Sequence, residues 1–207
     1  MARKYKDYPA ISLRIEEIDG KVDFSRVFGR RGAVHIEIGC GKATFLLSQA
    51  QAQPDCNFLG IEWASKYYRH AVDRVGRWGL KNVRIIRTEA AQFISDRFID
   101  ESVGCFHVYF PDPWPKKRHH KRRLFSPENT KHLLRCLKTG GTIRIATDHA
   151  DYFQRIQAVL DHHSGVFEQV GFIAAAGTAR GERVGTNFER KYLKEQRPIY
   201  TIAVRKI

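Results

Sequence analysis

The sequence is poor in the features that mark several large classes of protein, and each scarcity excludes one of them. No stretch approaches the ~20 consecutive apolar residues that a membrane-spanning helix needs. The first six residues carry charges with no apolar core behind them, so we expect no secretory signal. The four cysteines contain no CxxC pair, which is typical of free thiols in a reducing compartment. These absences predict a cytoplasmic protein.

Two kinds of site are also missing. No group of Cys and His residues has the spacing of a zinc site, so we expect no metal. No G-x-S-x-G sequence is present, which leaves no signal for a serine hydrolase of the α/β-hydrolase class.

What the chain has is a full complement of apolar residues and a large positive charge. Its 207 residues are 43% apolar and 12% aromatic, enough for one buried core and too apolar for a disordered chain. The formal net charge is +14, and the octet KKRHHKRR at residues 116–123 supplies six of those charges. A run of this kind is often a solvated surface, but its concentration at one place indicates binding to a nucleic acid.

The order of apolar and polar segments predicts one α/β domain over residues 33–207, preceded by a loosely packed arm over residues 1–32. We expect a mostly parallel sheet with helices on both faces, since strands and helices alternate with short connections. Strands are predicted over 33–38, 57–62, 83–87, 103–110, 142–146, 167–173 and 199–204. Helices are predicted over 42–53, 65–78, 90–98, 127–137, 151–162 and 188–196. In such sheets ligands bind beyond the carboxyl ends of the strands.

Acidic residues stand at the ends of the first four predicted strands. Each of them is also a reasonable cap for the following helix, where a carboxylate is worth ~0.3–1 kcal/mol. Four acids in the same register instead favour a ligand at that edge of the sheet. They are Glu37, Glu62, Glu89 and Asp112.

A glycine pair follows the first of these strands. Gly39 and Gly41 allow backbone to approach a ligand closely at a helix N-terminus, as in dinucleotide-dependent oxidoreductases and S-adenosylmethionine-dependent methyltransferases. The dinucleotide fingerprint requires a third glycine where this chain has Thr44. Glu62, about 20 residues on, would hold ribose hydroxyls in either class. The missing glycine favours the methyl donor.

A proline-rich segment, FPDPWP, follows the fourth strand. Three prolines in five residues hold the backbone extended and fix the directions of Asp112 and Trp114, although a surface turn has the same composition. The basic octet follows at once, so we expect it to contact phosphates beside the site. Asp148 is interpreted either as a helix cap or as a substrate contact, and His35 and His107 as core histidines inside strands.

In their order and spacing, the segments HIEIGCGKATF, FLGIEW, VYFPDPWPKKRHHKRRL, IRIATDHADY and GTNFERKYL resemble the bacterial tRNA (guanine-N7)-methyltransferases. The resemblance covers about residues 33–207. It implies a Rossmann-like class I methyltransferase fold with a mostly parallel sheet and one late antiparallel strand. It further implies methyl transfer from S-adenosylmethionine to N7 of the guanosine at position 46, in the variable loop of tRNA.

The resemblance also assigns residues to roles. Donor contacts fall on Glu37, Glu62, Glu89 and Asp112, to which the glycine pair adds Gly39 and Gly41. Asp112 is also our candidate catalytic residue, because the methylated base is cationic and an anionic neighbour stabilises it. Substrate contacts fall on Lys116, Asp148, Thr186, Asn187, Phe188 and Glu189. RNA contacts fall on Arg118, His119, His120, Lys121, Arg122 and Arg123.

Two positions depart from the family pattern. Ala43 stands where the family commonly has glycine, and Glu89 where aspartate is usual. Two other functions remain open from the residues alone. Asp-Pro-Trp is similar to the motif that holds an exocyclic amine in adenine methylation, and a basic fold of this kind also serves as a non-catalytic RNA-binding module.

Overall fold

The computed structural model describes residues 5–207, which form an eight-stranded sheet covered by helices. The strand order is β1-β4-β3-β2-β5-β6-β8-β7, and only the pairs β6–β8 and β7–β8 are antiparallel. The strands are β1 (Ser12–Leu13), β2 (Val34–Ile38), β3 (Asn57–Glu62), β4 (Val83–Arg87), β5 (Val103–Tyr109), β6 (Leu137–Thr147), β7 (Phe167–Val170) and β8 (Tyr200–Lys206). The helices are α1 (Phe24–Phe28), α2 (Thr44–Ala52), α3 (Ser65–Arg77), α4 (Ala90–Arg97), α5 (Pro127–Cys136), α6 (Ala150–Asp161) and α7 (Asn187–Lys194).

The core lies on both faces of the central strands. All six residues of β3 are buried and six of the seven in β5 are buried, as expected for strands covered on both sides. One apolar cluster gathers under α4, α5 and α6, and another under α2 and α3. The strand order reverses between β2 and β5, which is where ligands bind in open sheets of this kind.

Most predicted elements are present with bounds shifted by one or two residues. Ser126 caps α5 as expected, since its Oγ accepts a hydrogen bond from the Asn129 amide at 3.2 Å. The largest difference is at β6, where pairing with β5 begins before the predicted turn. Residues between Leu137 and Thr142 bulge out of that ladder around Gly140, whose φ is +78°.

Of the arm predicted over residues 1–32, residues 1–4 lie outside the described part of the chain, and the described residues 5–32 contain packed elements rather than a loose lead-in. Ser12–Leu13 forms the edge strand β1 beside β4, and α1 follows with both of its phenylalanines buried. Val22 is fully buried and its amide donates to the Arg97 carbonyl. Ile11, Val22, Phe24 and Phe28 are buried in the two apolar clusters of the core, which anchors the segment in a way that local periodicity does not reveal.

None of the helices in residues 5–207 combines the length and the apolar character needed to cross a bilayer. All four cysteines, which lie in this part of the chain, are free thiols as expected.

Candidate active site

The loop after β2, residues 39–43, is shaped by left-handed backbone. Gly39, Gly41 and Ala43 have φ of +75°, +54° and +55°. Glycine adopts such angles without strain, which explains why the family commonly has glycine at the position of Ala43. The Gly39 amide donates to the Ile61 carbonyl at 2.8 Å and so ties the loop to β3. A Cβ placed on Gly39 would meet nothing within 4 Å, so open space lies next to its Cα. We call residues 39–43 the glycine loop.

Glu62 holds the glycine loop in place. Its two carboxylate oxygens accept hydrogen bonds from the amides of Gly41 at 2.9 Å and Ala64 at 2.8 Å. Because the side chain is 8% exposed, the carboxylate is mostly enclosed by the two loops it joins. The acid at the end of β3 therefore links the glycine loop to the start of α3.

Glu37 is the buried acid of the set. It is 4% exposed, and its Oε2 has no hydrogen-bond partner. Burial raises the pKa of Glu37 well above its ordinary value, and the negative charge of Glu62 raises it further. A buried carboxyl group with an unpartnered oxygen suits a cationic and polar ligand such as S-adenosylmethionine.

Glu89 has the helix-capping role that the sequence left open. Its two oxygens accept from the amides of Ala91 at 3.0 Å and Gln92 at 2.7 Å, and the side chain is exposed at the start of α4. A donor contact by Glu89 stays a prediction. The cap fixes the position of the carboxylate at the same edge of the sheet as Glu37 and Glu62.

The segment after β5, residues 110–115, is strained at both ends. Phe110 and Trp114 have φ of +53° and +43°, which is rare for bulky residues and common at functional sites. Between them Asp112 is exposed, with a proline on either side. The Phe110 amide donates to the Ala146 carbonyl at 2.7 Å, which fixes the start of the segment to the end of β6. We call residues 110–115 the proline loop.

The basic octet folds as a 3-10 helix over Lys117–Arg122, which we call the basic helix, and no residue in it is buried. Lys116, Arg118 and Lys121 are exposed, while His119 and His120 are half-buried. The Arg122 guanidinium lies over the Trp114 ring at 4.9 Å from its centroid. The arrangement leaves a positively charged surface beside the proline loop, as the sequence predicted.

Arg123 is the exception among the six predicted RNA contacts. It is 5% exposed, and its Nε donates to the Pro113 carbonyl at 2.8 Å. Its Nη2 bonds Asp151 Oδ2 at 3.1 Å. The side chain points inward because the basic helix ends one residue earlier, so the prediction of an RNA contact for Arg123 does not agree with its position.

The TNFE segment forms the start of α7 and its cap. Thr186 Oγ1 accepts from the Glu189 amide at 3.1 Å. The Glu189 carboxylate, 1% exposed, accepts from three consecutive amides of residues 183–185, at 2.6 to 2.9 Å. Both side chains thus order the loop before α7, and direct substrate contacts by them remain predictions.

Asn187 and Phe188 connect the two halves of the site. Asn187 Nδ2 donates to Thr44 Oγ1 at 2.9 Å, next to the glycine loop. The ring of Phe188, which is 51% exposed, lies 6.2 Å from the ring of Phe110 in the proline loop. The start of α7 therefore bridges the glycine loop and the proline loop, and it leaves one aromatic face available to a base.

Asp148 follows β6 but does not cap α6. His149 is the cap, since its Nδ1 accepts from the Tyr152 amide at 3.3 Å, so the capping interpretation of Asp148 is wrong. Asp148 instead forms an ion pair with Arg197, whose guanidinium also lies over the Tyr192 ring at 4.2 Å. Sequence reasoning missed Arg197 and Tyr192, because nothing in their local pattern places them at the sheet edge.

A separate cluster of His35, Cys105 and His107 brings three ligand-type atoms within 4.8 Å of one another. Sequence spacing missed it because two of these residues alternate on β5 and the third lies on the paired strand β2. His35 Nδ1 and His107 Nε2 hydrogen bond at 3.1 Å, and His107 Nδ1 bonds the Tyr109 hydroxyl at 2.8 Å. Burial lowers the pKa of both histidines, and so does the nearby charge of Arg144. The bonds satisfy the rings as core histidines, and the positive charge opposes a cation there.

Solved structures share this fold. The precorrin-6y C5,15-methyltransferase of Geobacter metallireducens matches with a TM-score of 0.59, over 97% of this chain and 98% of that one, at 16% identity. The sheet, with its antiparallel strand β8, has the Rossmann-like class I methyltransferase fold. Residues 31–202 also match the family model described as "Putative methyltransferase".

Curated relatives narrow the class to a family. The tRNA (guanine-N(7)-)-methyltransferase of Alkalilimnicola ehrlichii is 35% identical over 199 residues, which cover 96% of this chain and 83% of that protein. The enzyme of the same name from Nitrosococcus oceani is 40% identical over 146 residues, covering 70% of this chain and 62% of that protein. The chain belongs to the tRNA (guanine-N7)-methyltransferase family.

Proposed function

We propose that this protein transfers a methyl group from S-adenosylmethionine to N7 of a guanosine in tRNA, in the cytoplasm. One observation carries the proposal: the glycine loop with its buried acids, the proline loop with Asp112, and the basic helix all lie at the carboxyl edge of one sheet. The name of the relatives supports the substrate. The variable-loop guanosine, position 46, is the nucleotide that the resemblance implies.

The glycine loop and three of the acids are assigned to the donor. Gly39 and Gly41 let backbone approach it closely, and the carboxylates of Glu37, Glu62 and Glu89 line its side of the edge. S-adenosylmethionine supplies a methyl group on a positively charged sulfur, so the methyl is already activated when bound. The residues of the chain therefore have to hold and orient rather than activate it.

Asp112 is assigned to the reacting base. Guanine N7 carries an exposed lone pair and needs no deprotonation before attack. The methylated base is cationic, and a carboxylate held close to it by two prolines stabilises the charge that develops. Alignment of the base with the methyl donor supplies the larger part of the reduction in the activation barrier, since good orientation lowers such barriers by ~7–11 kcal/mol. Asp112 thus orients and neutralises rather than removes a proton.

The tRNA is assigned to the basic helix and the start of α7. Lys116, Arg118, Lys121 and Arg122 are placed to contact phosphates, which positions RNA without reading its sequence. Phe188 offers a ring on which an extruded base can stack, worth ~1–3 kcal/mol. Asn187, which directly precedes Phe188, and Asp148, which follows β6, are assigned polar contacts to the substrate.

Labelled methyl transfer to unmodified tRNA tests the proposal. We expect donor-dependent incorporation, with 7-methylguanosine after digestion to nucleosides and a single modified position in the variable loop. 6-Methyladenosine in the digest would indicate adenine methylation instead. Binding of tRNA with no transfer and no calorimetric signal for the donor would identify a non-catalytic RNA-binding module.

A further inference from the structure

We propose that Arg123 is a positioning residue that holds the proline loop, and with it Asp112, in the geometry for methyl transfer. The inference rests on the proposed function, in which Asp112 faces the reacting base. It assigns to the last residue of the basic octet a role different from that of its exposed neighbours.

Arg122 and Arg123 are adjacent in sequence but differ in surroundings. Arg122 is exposed and lies on the outer side of the proline loop, over Trp114. The side chain of Arg123 is 6% exposed. A residue so enclosed cannot reach an RNA phosphate without leaving its present partners.

Three contacts tie Arg123 to two different elements. Its Nε donates to the carbonyl of Pro113, the residue directly after Asp112. Its Nη2 bonds Asp151 in the first turn of α6. Its guanidinium carbon lies 4.8 Å from the ring centroid of Tyr152, which is fully buried. Arg123 therefore fastens the proline loop to the start of α6.

Asp112 lies close enough to this clamp for its charge to act on Tyr152. Burial raises the pKa of the Tyr152 hydroxyl to about 12, and the charges of Arg123 and Asp112 act on that hydroxyl in opposite directions. The Tyr152 hydroxyl also accepts the Phe125 amide at 3.4 Å, which holds the chain after the basic helix. The clamp thus holds the proline loop at Pro113 and, through Tyr152, the chain after the basic helix at Phe125.

Only arginine has the shape for this role. The planar guanidinium bonds a carbonyl and a carboxylate in two directions while its face rests on an aromatic ring. Lysine would keep the charge and reach one partner at a time. The strained backbone of Phe110 and Trp114 persists only where the surroundings hold it, and Arg123 is part of those surroundings.

The test compares Arg123→Lys and Arg123→Ala with Arg122→Ala, and Arg155→Ala on the exposed side of α6 serves as a control for loss of one charge. We expect kcat at saturating tRNA to fall ~10–100-fold in both Arg123 variants, since a displacement of about 1 Å costs that much. The salt dependence of tRNA binding should stay at the wild-type slope. In Arg122→Ala the slope of log Kd against log salt should decrease by about 0.7–0.9, the contribution of one phosphate contact.

Asp151→Asn adds a variant that keeps the arginine and removes its exposed ion-pair partner, so we expect a smaller, roughly 2–5-fold fall in kcat. It remains informative if Arg123→Ala does not fold. Wild-type kcat in Arg123→Lys, or a reduced salt slope in Arg123→Ala, would overturn the clamp. A wild-type enzyme that makes no 7-methylguanosine would instead refute the proposed function and is read from the same assay.

Discussion

Glu37 shows how burial prepares a residue for a charged ligand. Its carboxyl is enclosed together with Glu62, the thiol of Cys40 and the phenol of Tyr109, all of which are neutral or negative. A positive charge placed next to its free oxygen would offset the cost of burying a carboxylate. The residue therefore couples the ionisation of the site to binding of the donor.

The variant Glu37→Gln should alter the pH dependence of stability. The folded protein binds the Glu37 proton more tightly than the unfolded chain, so the free energy of unfolding of the donor-free protein falls as pH rises from the ordinary glutamate pKa through the raised one. The amide removes this term. We expect Tm at pH 8 to exceed that of the wild type, by about 2–4 °C for each kcal/mol relieved.

Thermal melts from pH 5 to 8 and calorimetry with S-adenosylmethionine check this prediction. Donor affinity should weaken in Glu37→Gln while the melting temperature rises. The exposed Glu16→Gln is the matched control, with wild-type behaviour in both measurements. An unchanged pH profile of Tm would show that Glu37 ionises normally.

Asp112→Asn tests the charge at the reacting base. The amide keeps the size of the side chain and the stiff proline backbone but loses the negative charge. We expect kcat to fall at least tenfold, equivalent to ~1.4 kcal/mol in the barrier, with little change in tRNA affinity. Single-turnover rates give the measurement, and Asp55→Asn, exposed and away from the site, is the control. A smaller loss would remove Asp112 from the chemistry.

At the scale of elements, α7 is held by a short polar network rather than by a large apolar face. Glu189 is its only buried residue, and that carboxylate gathers the amides of residues 183–185. The local fold therefore depends on one buried side chain that accepts hydrogen bonds from three backbone amides.

Glu189→Gln should loosen the loop before α7. The amide nitrogen would face a backbone donor and leave at least one buried N–H unsatisfied, at a cost of ~1–3 kcal/mol. We expect faster tryptic cleavage after Arg180 and Arg183, detected by mass spectrometry. Glu195→Gln, at the exposed end of the same helix, should be cleaved like the wild type. Equal cleavage rates in all three proteins would contradict the anchoring role.

At the scale of the whole molecule, the net charge of +14 is distributed unevenly. The exposed part of the octet lies at the carboxyl edge of the sheet, beside the proline loop. A polyanion is therefore attracted to the face that carries the proposed chemistry, and its approach depends on ionic strength.

The double variant Lys117→Ala, Lys121→Ala should weaken tRNA binding and reduce its salt dependence. Each lost phosphate contact lowers the slope of log Kd against log salt by about 0.7–0.9, so we expect a decrease between one and two. Filter binding from 50 to 300 mM salt measures it. The control Lys131→Ala, Lys138→Ala removes the same charge from α5 and from the far end of β6. Equal effects in both pairs would mean that only total charge matters.

The order of strands and helices could be predicted from sequence because it depends on local patterns. Val83–Arg87 is a short run rich in β-branched residues, and Ser126 with Pro127 marks the start of α5. The predicted acids and glycines could be placed for the same reason, since each stands in the last residues of a clear apolar run or shortly after it. The order of strands and helices along the chain therefore follows from residues that are close to one another in sequence.

What only the tertiary structure decided is which of these residues meet, and which way they face. The sequence does not distinguish Arg122 from Arg123. In the structure the Arg122 guanidinium lies over the Trp114 ring, whereas Arg123 donates to the Pro113 carbonyl. It gives no signal for Arg197 at Asp148 or for the histidine pair across β2 and β5. Those contacts join residues far apart in the chain. Their partners are fixed by the register of strands and the packing of helices, which no local pattern contains.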